Sequence, residues 1–219
     1  MNIALLFDMD GVIFDSEPVH EMIFRNFARK LGFSVSAEEY RQLIGTSSVS
    51  QWRKMKEQFN LQGTAQELSD AKMAHYKEYL RTTSGLQPMS GLQRLLDELR
   101  ANDIPFALAS SNTTDIVSAT LCAIGMDHMF STRVGGNDVT HAKPAPDIFL
   151  LAAGKLGVPA QRCVVVEDST NGILAATRAG MKSIGFDNPN SPGQNLSGAD
   201  LRISSLTHLT LATVRQLFH

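Results

Sequence analysis

The chain has 219 residues, 43% of them hydrophobic and 19% charged, with a formal net charge of −2. That is ordinary globular material, long enough for one large core or for a core plus a small accessory domain, and its scattered lysines and arginines argue against nucleic acid as a partner. The two cysteines, Cys122 and Cys163, lack metal-knuckle or redox spacing and are expected as buried thiols, while the apolar run Ile3 to Phe7 is broken by Asp8 too soon for a signal peptide or a membrane span. A reducing cytoplasm, with no membrane association, is the expected location.

In chain order, Ile3 to Phe7 reads as a buried parallel strand that empties into a polar loop at Asp8, Asp10 and Gly11. From Ser16 to about Thr82 the pattern turns helical. Val19, Ile23, Phe27 and Leu31 recur at four-residue intervals before Gly32, and Ser36 with Glu39 and Thr64 with Glu67 form capping boxes at two later starts. Val49, Trp52, Met55 and Phe59 line another helical face. No strand is expected there, so residues 16–82 are expected to form an inserted four-helix cap, with 1–15 and 83–219 as the catalytic core.

From Gly85 the rhythm becomes β-α-β-α. Leu92, Leu95, Leu96 and Leu99 mark a helix, Ile104 to Ala109 a strand ending at Ser110, Ser111 and Asn112, and Asp115 to Ile124 a helix. A short strand at Arg133 to Gly135 and a helix from Pro146 to Leu156 follow. Cys163 to Val166 is a strand ending at Glu167 and Asp168, then come a helix to Ala179, a strand at Ser183 to Phe186 and a last helix ending near Phe218. The fold class is α/β: a doubly wound, Rossmann-like parallel sheet covered on both faces, with ligands at the carboxyl ends of its strands.

Three strand ends thus deliver polar clusters to one sheet edge. Asp8, Asp10, Glu167 and Asp168 would repel one another unless a cation intervened, and hard oxygen ligands without thiolate or histidine favour Mg2+. Lys143, on a loop stiffened by Pro144 and Pro146, is a fixed positive charge suited to phosphate, and Ser110 with the amides after it completes an anion cradle. Taken singly, each piece has an ordinary reading as a turn, a helix cap or a surface lysine; their joint placement at successive strand ends is what carries weight.

Asp8-Met-Asp-Gly-Val, Ser110, Lys143-Pro and Glu167-Asp168 resemble the four ordered motifs of the haloacid dehalogenase superfamily. The stretches DMDGVIFDSEP and EDSTNG are similar to its sugar phosphatase and β-phosphoglucomutase branch, whose helical cap follows the first motif. The resemblance implies that Asp8 attacks phosphorus to form an aspartyl phosphate, while Asp10 protonates the leaving oxygen and then activates water. It implies catalytic roles for Asp8, Asp10, Ser110 and Lys143, and a Mg2+ site of Asp8, Asp10 through its carbonyl, Asp168, and Glu167 directly or through water. Ser110, Ser111, Asn112 and Lys143 are the expected phosphate contacts. His20, on the first cap helix, is joined to them because mutase-type relatives carry a histidine there.

The expected function is therefore Mg2+-dependent hydrolysis of a small phosphorylated metabolite, a sugar or polyol phosphate, with no obligate protein partner. Two alternatives remain open at this point. A phosphosugar mutase keeps the whole core, but its cap loop carries a basic residue before a glycine and an arginine three positions after it. Here Leu43-Ile44-Gly45-Thr46-Ser47-Ser48 puts Ile44 and Ser48 in those places. A phospho-accepting receiver-like signalling module shares the acidic cluster and lysine, but the helical insertion argues against it.

Overall fold

The computed structural model describes residues 3–218. Met1, Asn2 and His219, which fall in the expected core segments, lie outside the described residues. The chain divides into two compact units, one made of the described residues up to Asp15 together with those from Ser84 onward, the other Ser16–Thr83.

The first unit is built on a six-stranded parallel sheet. Its strands are β1 (Ala4–Phe7), β2 (Phe106–Ala109), β3 (Arg133–Val134), β4 (Cys163–Glu167), β5 (Lys182–Phe186) and β6 (Leu201–Ile203), in the spatial order β3-β2-β1-β4-β5-β6. Every residue of β1, β2 and β4 is buried, which is why these strands read as apolar runs rather than alternating ones, broken only by Glu167 at the end of β4. Phe7 is in register with Leu108 on one side and Val166 on the other, so the three chains leave the sheet at one level. The order reverses at β1, with β2 and β4 as its neighbours; this is the switch point at which open α/β sheets leave a crevice beyond their carboxyl ends.

The helices of this unit are α5 (Leu92–Ala101), α6 (Thr114–Ala123), α7 (Asp147–Leu156), α8 (Thr170–Arg178) and α9 (Leu211–Gln216). Phe149 and Ala152 of α7 and Ala175 and Ala176 of α8 pack with Leu6 and Val165 in one apolar cluster. Cys163 is buried, as expected, but Cys122 is exposed. The helix α6 buries Ile116, Val117, Thr120 and Leu121, and the next residue is turned about 100° away from that stripe, so an apolar neighbourhood in sequence left Cys122 outside. Strand β6 has no counterpart among the expected elements.

The second unit holds α1 (Glu17–Lys30), α2 (Ala37–Arg41), α3 (Ser48–Phe59) and α4 (Ala65–Thr82). Both capping boxes form: the Glu39 amide donates to Ser36 Oγ at 3.1 Å while Ser36 N donates to Glu39 at 2.8 Å, and Thr64 and Glu67 repeat the exchange at 3.1 and 2.7 Å. Fully buried Trp52 stacks on Phe24, centroids 4.5 Å apart, and meets Phe27 edge-on at 5.2 Å. Buried aromatic area of this kind is a large contribution for a unit this small. The four-residue repeat of α1 stops one turn early, since Leu31 is the C-cap and is 37% exposed.

Candidate active site

Beyond Phe7 the backbone keeps to the sheet for one more bond, Asp8 N to Val166 O at 3.0 Å, and then turns away. The Met9 carbonyl accepts from Ile13 and Phe14, forming a tight turn in which Gly11 has φ +77°. Glycine is required there on two counts. A Cβ would stand in left-handed backbone space and would lie 2.0 Å from Asp168 Oδ2. The carbonyl of Gly11 is held by Asn188 Nδ2 at 3.1 Å, and Asn190 Nδ2 reaches Asp15 at 2.6 Å, so the loop after β5 fastens the loop after β1.

Asp8, Glu167 and Asp168 are all buried, with one carboxylate oxygen from each within 4.8 Å of the others. Into this group runs Lys143, its side chain only 5% exposed, with Nζ donating to Asp8 Oδ1 at 2.5 Å, to Glu167 Oε1 at 2.8 Å and to the Ala109 carbonyl at 3.2 Å. The lysine arrives on a loop whose Lys143–Pro144 bond is cis. Glu167 also accepts, on Oε2, from the amide and the hydroxyl of Ser169, both at 2.8 Å. Both its oxygens are therefore engaged within the protein. It folds back across the start of α8, where a Cβ on Gly172 would sit 1.8 Å from its Oε1; that glycine is there to admit the glutamate.

Three buried carboxylates against one ammonium leave negative charge that apolar surroundings penalise. Burial, with the neighbouring carboxylates adding to it, pushes Asp8 well above the usual carboxylate range in spite of Lys143. Burial and then Glu167 push Asp168 up to about 8, against a lowering hydrogen bond from Ser191. For Lys143, burial pulls downward, but Asp8 and Glu167 outweigh it and hold the ammonium charged. All of these directions describe a pocket short of positive charge. An oxygen-only donor set of this kind suits a hard divalent cation, so the residues present fit one.

The remaining core residues lie around this cluster. Ser110, fully buried, sits one residue past β2, and its Oγ accepts from the Asn112 amide at 3.1 Å. Asn112 turns its side chain to Asp10, with Nδ2 donating to Oδ2 at 2.7 Å, which orients the Asp10 carboxylate. Ser111 is exposed, and its carbonyl is approached so closely by Gly136 that a Cβ there would lie 2.3 Å from it. Gly11, Ser169 and Gly172 fall within the stretches quoted from the sequence but were given no site role there, and neither were Asn188 and Ser191; a glycine in the first turn of a helix, as at Gly172, was a local sign of close approach.

His20 belongs to the helical unit. Its Nδ1 lies 2.7 Å from Lys72 Nζ, and its ring stacks on Tyr76 with centroids 4.1 Å apart. Lys72 and Tyr76 are buried on α4. A lysine on the buried stripe of an amphipathic helix is unusual, and sequence periodicity gave it no distinction from the exposed lysines around it.

The family model for haloacid dehalogenase-like hydrolases matches residues 5–186. A probable pseudouridine-5'-phosphatase of Drosophila melanogaster is 34% identical over 211 residues, 92% of this chain and 88% of that one. The fructose-1-phosphate phosphatase YqaB of Escherichia coli is 32% identical over 83% of this chain and 94% of its own. Among solved structures, β-phosphoglucomutase from Clostridium difficile superposes with a TM-score of 0.80 at 26% identity, covering 100% of this chain and 97% of that one. With four motifs in order on a matching sheet, the chain belongs to the haloacid dehalogenase-like hydrolase family, as one of its phosphoric monoester hydrolases.

Proposed function

We propose that the protein hydrolyses a small sugar or polyol phosphate through an aspartyl phosphate on Asp8, with Mg2+ bound by Asp8, Asp168 and the Asp10 carbonyl. The observation that carries this reading is the buried ammonium of Lys143 between Asp8 and Glu167, with Asp168 beside them. Because both Glu167 oxygens are engaged by Lys143 and Ser169, its part toward the cation is through water, and its direct work is to hold the lysine. When bound, Mg2+ supplies charge neutralisation for a phosphoryl oxygen.

The chain's own groups account for the rest. Asp8, pinned through its backbone to β4, presents a carboxylate oxygen to phosphorus. Lys143 and the Ser110 hydroxyl take up charge on the equatorial oxygens as the phosphoryl group transfers. Asp10, held by Asn112, donates a proton to the leaving oxygen and afterwards takes one from the attacking water. In the helical unit, we assign substrate recognition to the His20–Lys72 pair. The Lys72 ammonium donates to Nδ1, which puts the ring proton on Nε2.

Hydrolysis, rather than transfer within a bisphosphate, is favoured by the helical unit's own side chains. Ile44 packs against the cluster around Trp52, and the Ser48 hydroxyl is hydrogen-bonded to Ser69 at 2.8 Å. Neither offers the cation that a second phosphate needs, a loss of about 1.5–3 kcal/mol for each charge-assisted hydrogen bond. The test is a turnover screen over phosphorylated sugars and polyols with Mg2+ and with EDTA, using the wild type and Asp8→Asn. Chelator-resistant turnover, or an Asp8→Asn protein above about a hundredth of wild-type rate, would remove the reading.

A further inference from the structure

Phe149 is fully buried in the first turn of α7, six residues after Lys143, and Lys143 Nζ lies over its ring at 4.7 Å from the centroid. We propose that Phe149 is a positioning residue for Lys143: its ring face holds the ammonium in place when the charge on Asp8 is consumed. The inference rests on the function proposed above.

The ammonium has three N–H groups, and Asp8, Glu167 and the Ala109 carbonyl accept all three. In the proposed reaction an Asp8 oxygen forms a bond to phosphorus as the leaving group's oxygen parts from it, with a proton going to that oxygen from Asp10. During that step the strongest partner of Lys143 becomes a neutral acyl group. A lysine on a flexible four-carbon stem would then relax toward Glu167, away from the phosphoryl oxygens it must neutralise. The ring does not take part in the exchange. Its negative face attracts a cation before and after the transfer, and the attraction is strongest where water is excluded, as it is around this 5% exposed side chain. An apolar side chain of similar volume would fill the cluster of Leu6, Ala107, Ala152 and Val165 around it, yet could not do this.

Two measurements separate this role from core filling. Mono-, di- and trifluorophenylalanine placed at position 149 weaken the ring's negative face stepwise with little change in shape. Turnover of p-nitrophenyl phosphate is expected to fall monotonically, reaching about tenfold in kcat for the trifluoro form, with KM and melting temperature unchanged. A kcat that is flat across the series in an active protein overturns the inference while leaving the function intact. The second measurement does not need activity. In protein labelled at lysine, the Lys143 ε-protons are expected upfield through the ring current, the shift persisting in Asp8→Asn and vanishing in Phe149→Leu. Loss of the shift in Asp8→Asn means that Asp8, not the ring, holds the lysine, and overturns the proposal. A wild type without phosphatase activity would instead count against the proposed function.

Discussion

Gly11→Ala separates backbone strain from damage to the cation site. Two glycines of the core unit share nearly the same positive φ, Gly11 at +77° and Gly157 at +67°, but a Cβ at Gly157 meets nothing within 4 Å. Alanine at Gly157 therefore suffers only the left-handed backbone cost of about 1–2 kcal/mol, a fall of roughly 2–8 °C in melting temperature for a protein of this size. At Gly11 the same cost applies, and the new methyl lies 2.0 Å from Asp168 Oδ2, 2.6 Å from its Cγ and 3.0 Å from Asn188 Nδ2. Restoring ordinary contact requires a parting of about 1.4 Å between the Asp8–Gly11 loop and Asp168, with Asn188 Nδ2 already close at 3.0 Å. Mg2+ demands oxygens at 2.0–2.1 Å in near-octahedral array, so with the ligand set proposed above a displacement of that size would remove a ligand. The Mg2+ concentration for half-maximal rate is expected to rise by about 10–100-fold in Gly11→Ala and to stay at the wild-type value in Gly157→Ala. Initial rates across a Mg2+ titration, with thermal melts of both variants, decide it. Equal Mg2+ requirements in the two variants would refute the reasoning.

Other expectations follow from the same geometry. Asp168 is raised to about 8 and Asp8 is raised as well, so the folded, metal-free protein binds protons more tightly than the unfolded chain. The stability this gives is complete below about pH 4 and is lost as pH climbs toward 8, so the melting temperature in EDTA should fall across that range and the gain on adding Mg2+ should widen; a gain independent of pH would contradict it. Burial raises the Cys163 thiol to about 11, whereas Cys122 is exposed, so a disulfide reagent at pH 8 should titrate one thiol quickly in the native protein and the second only after denaturation. Two fast thiols would place Cys163 wrongly. Lys72→Met is expected to raise KM for a sugar phosphate by about tenfold or more while Mg2+ dependence is unchanged, and an unaltered KM would remove the His20–Lys72 pair from substrate recognition.

Much of the fold was legible because central parallel strands are buried on both faces and so stand out as apolar runs, Ala4–Phe7 whole and β4 up to the glutamate that ends it. The capping boxes at Ser36 and Thr64 announced two helices with similar plainness. Strand β6 escaped because Leu201 and Ile203 are only half-buried at the sheet's edge, with exposed Arg202 between them. In the candidate site, the carboxylates were visible from their position at strand ends, and Lys143 from the proline-stiffened loop that carries it. The residues that hold them were not. Phe149 looks like any core aromatic until Lys143 is found over it, Lys72 like any helix lysine, and Asn188 acts on Gly11 from 177 residues away. Each depends on a contact between distant segments, and no local pattern encodes that.

The central claim is that Asp8 carries the phosphoryl group. In Asp10→Asn the residue proposed to activate water is gone while Asp8 remains, so phosphorylated substrate with Mg2+ should leave a fraction of the protein as the acyl phosphate. Borohydride reduction after acid quench, followed by peptide mass mapping, should convert residue 8 alone to homoserine. Reduction at another carboxylate, or none in a protein that still consumes substrate, would contradict the account.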